Sequence, residues 1–239
     1  MEEQSKASAR LGILGGMGPQ ATQLFYQWIL DRTEADCDQE HLPALILSDT
    51  EMPDRTAAIL SGNTEPVYQR LLADARTLQD CGCCCIAIPC NTSHYFVDRL
   101  QENLTIPILH MPKAAVARLA AKGKRKAAIL ATDGTIATGI YHRACEAQGI
   151  EPWSPDEKTQ KRVMSLIYDE IKRGEKGSRS TFESIDRAVR TAGCDCAILG
   201  CTELSVYRAY HGLPERYVDA MEVLVEDCIL FCGKKLREV

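Results

Sequence analysis

Seven short apolar runs, none strictly alternating, constrain this chain more than any other feature. They read "RLGILG" (10–15), "PALILSD" (43–49), "CCIAIP" (84–89), "TIPIL" (105–109), "KAAILA" (126–131), "DCAILG" (195–200) and "RYVD" (216–219). A continuous apolar run suits a strand covered on both faces, because a strand with one wet face would alternate. Helical patterns fill the intervals at about 19–34, 64–80, 93–103, 112–122, 135–148, 157–173, 179–193, 203–210 and 221–237. The clearest is "EKTQKRVMSLIYDEIKRG", with Val163, Ile167 and Ile171 on one stripe and Gly174 at the stop. Repeated strand–helix units predict an α/β fold with parallel sheet. A chain of 239 residues holds one large α/β domain or two small ones, and 45% hydrophobic residues supply a substantial core.

One device occurs twice. "AIPCNTSH" and "AILGCTELS" each run an apolar strand into a Cys-Asn-Thr or Cys-Thr turn and a helix start. Cys90 and Cys201 are 111 residues apart, close to half the chain. This repetition predicts two similar α/β halves, each bringing one cysteine to the carboxyl end of a strand. Open α/β sheets bind ligands at that edge, and an interface between halves is a common place for a pocket.

Composition excludes several classes of partner. The net charge is −5 and no basic block occurs, so no nucleic acid is expected. No apolar stretch approaches the roughly 20 residues that span a bilayer. The opening "MEEQSKASAR" lacks an apolar signal core and reads as a disordered extension of a soluble, cytoplasmic protein. The 12 cysteines are too sparse for a disulfide scaffold. In the run "CGCCCIAIPC" (81–90), alternation would send Cys83 and Cys85 to one face and Cys84 to the other. That spread opposes a four-ligand zinc site, and buried reduced thiols are expected, with no metal.

The glycine-rich "LGILGGMGPQAT" (11–22) comes after a strand and opens a helix. Gly16, Gly18 and Ala21 satisfy the dinucleotide fingerprint, but Asp49 comes 31 residues after Gly18, well beyond its usual place, and Pro19 removes a phosphate-facing N–H. A turn that admits a small anionic substrate fits better.

A thiol at a helix N-terminus is expected to have its pKa drawn towards neutrality. A Cys-His-Asn hydrolase would account for Cys90 with His94 but leaves Cys201 unused. Two thiols across a cleft suit proton transfer between the two faces of a carbon acid, each working as thiolate or thiol near neutral pH. Such a site needs cations and amide donors where enolate charge develops. Arg55 in "MPDRT" offers a planar fork for a carboxylate, and "ATDGT" (131–135) ends a strand with two hydroxyls.

Together "GILGGMGPQAT", "DQEH" (38–41), "PDRT", "IPCNTSH", "ATDGT", "QKRVM" (160–164) and "GCTELS" (200–205) resemble the aspartate racemase branch of the aspartate/glutamate/hydantoin racemase superfamily. The resemblance implies a cofactor-independent amino-acid racemase built as a pseudo-twofold pair of α/β domains, and a homodimer. The family's catalytic cysteines map onto Cys90 and Cys201, its carboxylate-binding arginine onto Arg55 and its cleft lysine onto Lys161. Substrate contacts map onto Met17, Asn91, Thr92, Thr132, Thr135, Thr202 and Glu203. By the same resemblance Cys201 takes the proton from the L-isomer and Cys90 from the D-isomer. Glutamate racemases are less similar, with an Asp-Ser-Gly loop and Cys-Thr-His where this chain has "GGMGP" and Cys201-Thr202-Glu203. Two departures stand out: Asp133, where a neutral residue is common, and Ala220, where a proline is common.

The expected domains are 1–106 plus 214–239, carrying Cys90, and 107–213, carrying Cys201. The expected substrate is aspartate or glutamate, which one methylene separates. Another two-cysteine isomerase of maleate or hydantoin type, or a non-catalytic dicarboxylate-binding protein, is the alternative.

Overall fold

Among the described residues, eight strands form two four-stranded sheets in which every strand pairing is parallel. The computed structural model describes residues 9–238, so most of the polar opening segment lies outside the described residues. The first half runs β1 (Leu11–Gly15), α1 (Pro19–Arg32), β2 (Ala44–Ser48), α2 (Arg55–Ser61), α3 (Glu65–Asp80), β3 (Cys85–Ala87), α4 (Val97–Gln101) and β4 (Ile108–Leu109). Next come α5 (Met111–Ala121), β5 (Lys126–Ala131), α6 (Asp133–Thr138), α7 (Ile140–Ala147) and β6 (Glu151–Trp153). The chain ends with α8 (Glu157–Ser165), α9 (Arg179–Thr191), β7 (Cys196–Gly200), α10 (Thr202–His211), β8 (Tyr217–Asp219) and α11 (Ala220–Phe231).

The sheets run β2-β1-β3-β4 and β6-β5-β7-β8, one order repeated, so β3 and β7 occupy equivalent places and each is followed by one of the paired cysteines. Strand membership shifts the expected division. Residues 108–109 pair in the first sheet, and residues 217–219 pair in the second. Beyond them α11 packs on α1 and α5. One core joins the halves, running from Leu11, Phe25 and Ile29 through Met111 and Ile129 to Leu224 and Ile229. Those residues are buried completely or nearly so, as both-face coverage requires.

The long amphipathic segment expected at 157–173 keeps its stripe but not one helix. Asp156 caps α8 by accepting from the Thr159 N–H at 2.8 Å. The chain then passes through a π-turn at Leu166–Glu170 and a 3-10 turn at Ile171–Arg173, stopping at Gly174 in the left-handed region. Val163, Ile167 and Ile171 are all buried, so tertiary packing preserves the stripe while the winding changes.

Candidate active site

The loops that leave the carboxyl ends of β1, β2, β3, β5 and β7 converge, as parallel α/β sheets dictate. Gly16 has φ 91°, and a Cβ there would meet the Asp49 backbone at 2.4 Å, so only glycine passes here. Gly18 then caps α1, with Pro19 at its first position. A cavity of about 300 Å³ opens at this N-terminus, bordered by Met17, Gly18, Arg55, Ile171, Lys172 and Glu203.

Arg55 is the most telling side chain in it. It is only 8% exposed. Its Nη2 donates to the Met17 carbonyl at 3.0 Å, and its Nη1 to the Pro53 carbonyl at 3.0 Å. Its Nε is buried with no partner. The neighbouring Asp54 is otherwise engaged: its carboxylate accepts from the Ala57 N–H at 2.7 Å and the Tyr168 hydroxyl at 3.1 Å. Burial works to lower the guanidinium pKa, but the adjacent Cys90 sulfur and the Asp54 charge outweigh it and the net shift is upward. A buried cation held by carbonyls, with a free donor, is a site short of an anion.

Cys90 is buried beside that guanidinium. The chain beyond it forms a 3-10 turn at Thr92–Phe96 and then the five-residue α4, so the expected helix macrodipole does not act on this thiol. His94 is not its base. Nδ1–H of His94 donates to the Cys90 carbonyl at 2.9 Å, and Nε2 accepts from the Met111 N–H at 3.2 Å. Burial, helped by His110, pushes the ring down to about 3, so it stays neutral. The Asn91 Oδ1 accepts from the Tyr141 hydroxyl, leaving its buried Nδ2 without a partner. The hydrolase arrangement is therefore absent.

Cys201 does cap a ten-residue helix, α10, yet its pKa moves opposite to expectation. Burial and the Glu203 carboxylate push it well above the usual thiol value, and Lys172 opposes them only in part. Its S–H donates to Glu203 Oε2 at 2.8 Å, while Glu203 Oε1 lies 3.5 Å from Lys172 Nζ. A thiol, a carboxylate and an ammonium thus form one chain, of which Glu203 and Lys172 border the cavity and Cys201 lies buried behind them, as Cys90 lies behind Arg55. Thr202 is buried at the first position of the same helix.

Thr92, Thr132 and Thr135, expected as substrate contacts, bond one another and are joined by Thr56. The Thr92–Thr135 contact is 2.8 Å, and Thr132 lies 3.1 Å from each of them and 3.2 Å from Thr56. This hydroxyl knot ties the two halves together. Gly134 permits the approach, since a Cβ there would meet Thr56 Cα at 2.7 Å.

Lys161, expected in the cleft, is not there. Its side chain is 75% exposed and pairs with Glu157 at 2.6 Å. The lysine bordering the cavity is Lys172, which no sequence motif singles out. On one continuous helix, as the sequence pattern suggests, eleven residues are about three turns and would put both lysines on nearly the same face; the π-turn and 3-10 turn between them break that register. Periodicity cannot choose between them. Asp133 also leaves the cavity: its carboxylate accepts from Gln160 Nε2 at 2.8 Å in the outer depression that Lys161 borders.

Residues 14–228 match the family model of Asp/Glu/Hydantoin racemases. The chain belongs to this racemase family. Among solved structures it is similar to an aspartate racemase of Picrophilus torridus, with a TM-score of 0.81, 27% identity and 96% of each chain covered. An aspartate racemase homologue of Pyrococcus horikoshii matches with a TM-score of 0.75 and 22% identity, over 94% of this chain and 99% of that one. Among curated proteins, the broad-specificity amino-acid racemase RacX of Bacillus subtilis is 28% identical over 66% of this chain and 69% of its own. The racemase family accounts for the two four-stranded parallel sheets. With that membership, the chain is an amino-acid racemase.

Proposed function

We propose that this racemase interconverts L- and D-aspartate with two thiols and no cofactor. The observation that carries this reading is Arg55, a buried guanidinium with an unpartnered Nε beside Cys90. A substrate α-carboxylate supplies the missing anion in a charge-assisted pair. The N-terminus of α1 adds amide donors and the positive end of a fourteen-residue helix. Lys172 offers a second cation for a side-chain carboxylate, in exchange for its contact with Glu203.

Racemisation then needs one thiolate and one thiol on opposite faces of the α-carbon. With an L-substrate, Cys201 works as thiolate, having passed its proton out through Glu203, and removes the α-proton. Negative charge develops on the α-carboxylate, where Arg55 and the α1 amides stabilise it. Cys90 delivers a proton to the other face and becomes the thiolate that begins the reverse reaction. Asn91, Thr92, Thr132, Thr135 and Thr202 hold the two loops in register, and Met17 fixes the Arg55 fork through its carbonyl.

A second reading, broader specificity, is favoured by Met52, Ile171 and Val206 on the cavity wall, which accept an apolar side chain. One experiment tests both. Circular dichroism of purified protein with each enantiomer of aspartate, glutamate and a panel of neutral amino acids, with no added cofactor, reads racemisation directly. Loss of signal for aspartate alone supports the first reading. Comparable rates on neutral amino acids support the second, and no change with any substrate refutes both.

A further inference from the structure

Cys84 Sγ lies 3.9 Å from Cys85 Sγ and 3.9 Å from Cys232 Sγ, and the last two are 3.8 Å apart. This nearly equilateral triangle of free thiols sits at the amino end of β3, whereas Cys90 lies beyond its carboxyl end. Cys85 and Cys232 are buried and Cys84 half-buried, which leaves one approach from solvent. A point equidistant from three sulfurs so spaced lies about 2.2 Å from each, within 0.2 Å of a metal–thiolate bond of about 2.3 Å.

The surroundings agree with a cation. Cys232 is the C-cap of the twelve-residue α11, where unpaired carbonyls concentrate partial negative charge. Among the described residues, no His, Asp or Glu and no fourth Cys joins the group. Structural Zn(II) is almost always four-coordinate, whereas soft thiolates also select Cu(I), which three sulfurs can satisfy.

We propose that Cys84, Cys85 and Cys232 form a three-thiolate site for one Cu(I) ion, clasping the end of α11 to the start of β3. Binding exchanges protons for metal: three S–H bonds give three Cu–S bonds, and the protons leave to solvent with no change of oxidation state. The site is separate from the racemase chemistry, so loading it leaves turnover unchanged.

The test uses the reduced full-length chain under anaerobic conditions. Cu(I) is titrated against a competing chromophoric chelator, for the wild type and for Cys84→Ser, Cys232→Ser and the exposed control Cys37→Ser. The wild type and Cys37→Ser should bind one tight equivalent, with X-ray absorption giving three sulfurs at about 2.2–2.3 Å. Cys84→Ser and Cys232→Ser should each weaken that equivalent by roughly a hundredfold or more. A readout without substitution guards against misfolding. Cys84 of the wild type should react with iodoacetamide before loading and resist it after one equivalent, as peptide mass spectrometry shows. Equal affinity in all four proteins, or equal Cys84 alkylation with and without copper, would overturn the site. Tight Zn(II) binding without Cu(I) binding at these thiols would overturn the choice of ion.

Discussion

The Cys201 thiol donates to Glu203 Oε2 at 2.8 Å, so the second cysteine of the pair rests beside a negative charge that holds its proton in place. Racemisation has an equilibrium constant of one, so kcat/KM must be equal for the two enantiomers at every pH. Both profiles therefore report the same free-enzyme thiol pair, which must carry one proton in all. Loss of that last proton sets the alkaline limb. Because Cys201 is shifted upward, the limb should lie above the ordinary thiol range. Glu203→Gln removes the carboxylate, eases thiolate formation and should move the limb to lower pH. Lys172→Met should move it the other way. Identical limbs in all three proteins would remove Glu203 from this role.

Arg55→Ala should leave the fold intact and raise KM strongly. Charge-assisted hydrogen bonds are worth roughly 1.5–3 kcal/mol each, so losing one or two costs about tenfold to a thousandfold or more in kcat/KM. Arg55→Lys should recover only part, because an ammonium cannot reproduce the fork that Met17 and Pro53 hold. Wild-type kinetics in Arg55→Ala would exclude it as the carboxylate anchor.

The two lysines give a paired comparison. Lys161→Met should change kcat/KM less than about twofold, as exposed ion pairs contribute little. Lys172→Met should lower it at least about tenfold on dicarboxylates, the loss of one charge-assisted contact. It should affect neutral amino acids less. The reverse ranking would restore Lys161 to the substrate.

Much of this was legible in the sequence because parallel strands declare themselves. Runs such as "KAAILA" and "CAILG" have one structural use, and the repeated strand-then-cysteine device located both thiols. The features that escaped were short or depended on three dimensions. The seven-residue α2 has too few turns to show a period, and β6 at "EPW" contains a proline. The upward shift of Cys201 arises from burial and from Glu203 two residues on, whose direction no linear pattern gives. Cys232 meets Cys84 across 148 residues, so the run at 81–90 could be weighed only for ligands within itself.

Asp219 offers a stability test. Its Oδ1 accepts from Ser205 Oγ at 2.7 Å and from the Met221 N–H at 3.0 Å, but its buried Oδ2 has no partner. Burial raises the carboxyl from 3.8 to about 6. The native state therefore holds this proton more tightly than the unfolded chain. The associated stability is complete below about pH 4 and is lost as pH rises through about 6. Asp219→Asn keeps the accepting oxygen and cannot ionise. Relative to wild type it should gain about 2 kcal/mol between pH 4 and pH 8. Urea denaturation at both values measures this, and an unchanged difference would refute the shift.

The last prediction separates Cys90 from Cys201. If the two flank the α-carbon, each meets the α-hydrogen of one enantiomer only. Replacing either with alanine should abolish racemisation in both directions, since inversion needs a donor on the opposite face. The surviving thiol keeps its own face. In D2O, Cys90→Ala leaves Cys201 and should wash deuterium slowly into L-aspartate without inverting it. Cys201→Ala leaves Cys90 beside Arg55 and should do the same with D-aspartate. Exchange should be slower in Cys90→Ala, because the remaining thiol is the one that burial and Glu203 keep protonated. Adding Glu203→Gln to that variant should therefore speed exchange into L-aspartate. NMR of the α-proton reads every case. Full racemisation by either single variant would exclude the two-thiol mechanism, and exchange with the opposite enantiomer would reverse the assignment of faces.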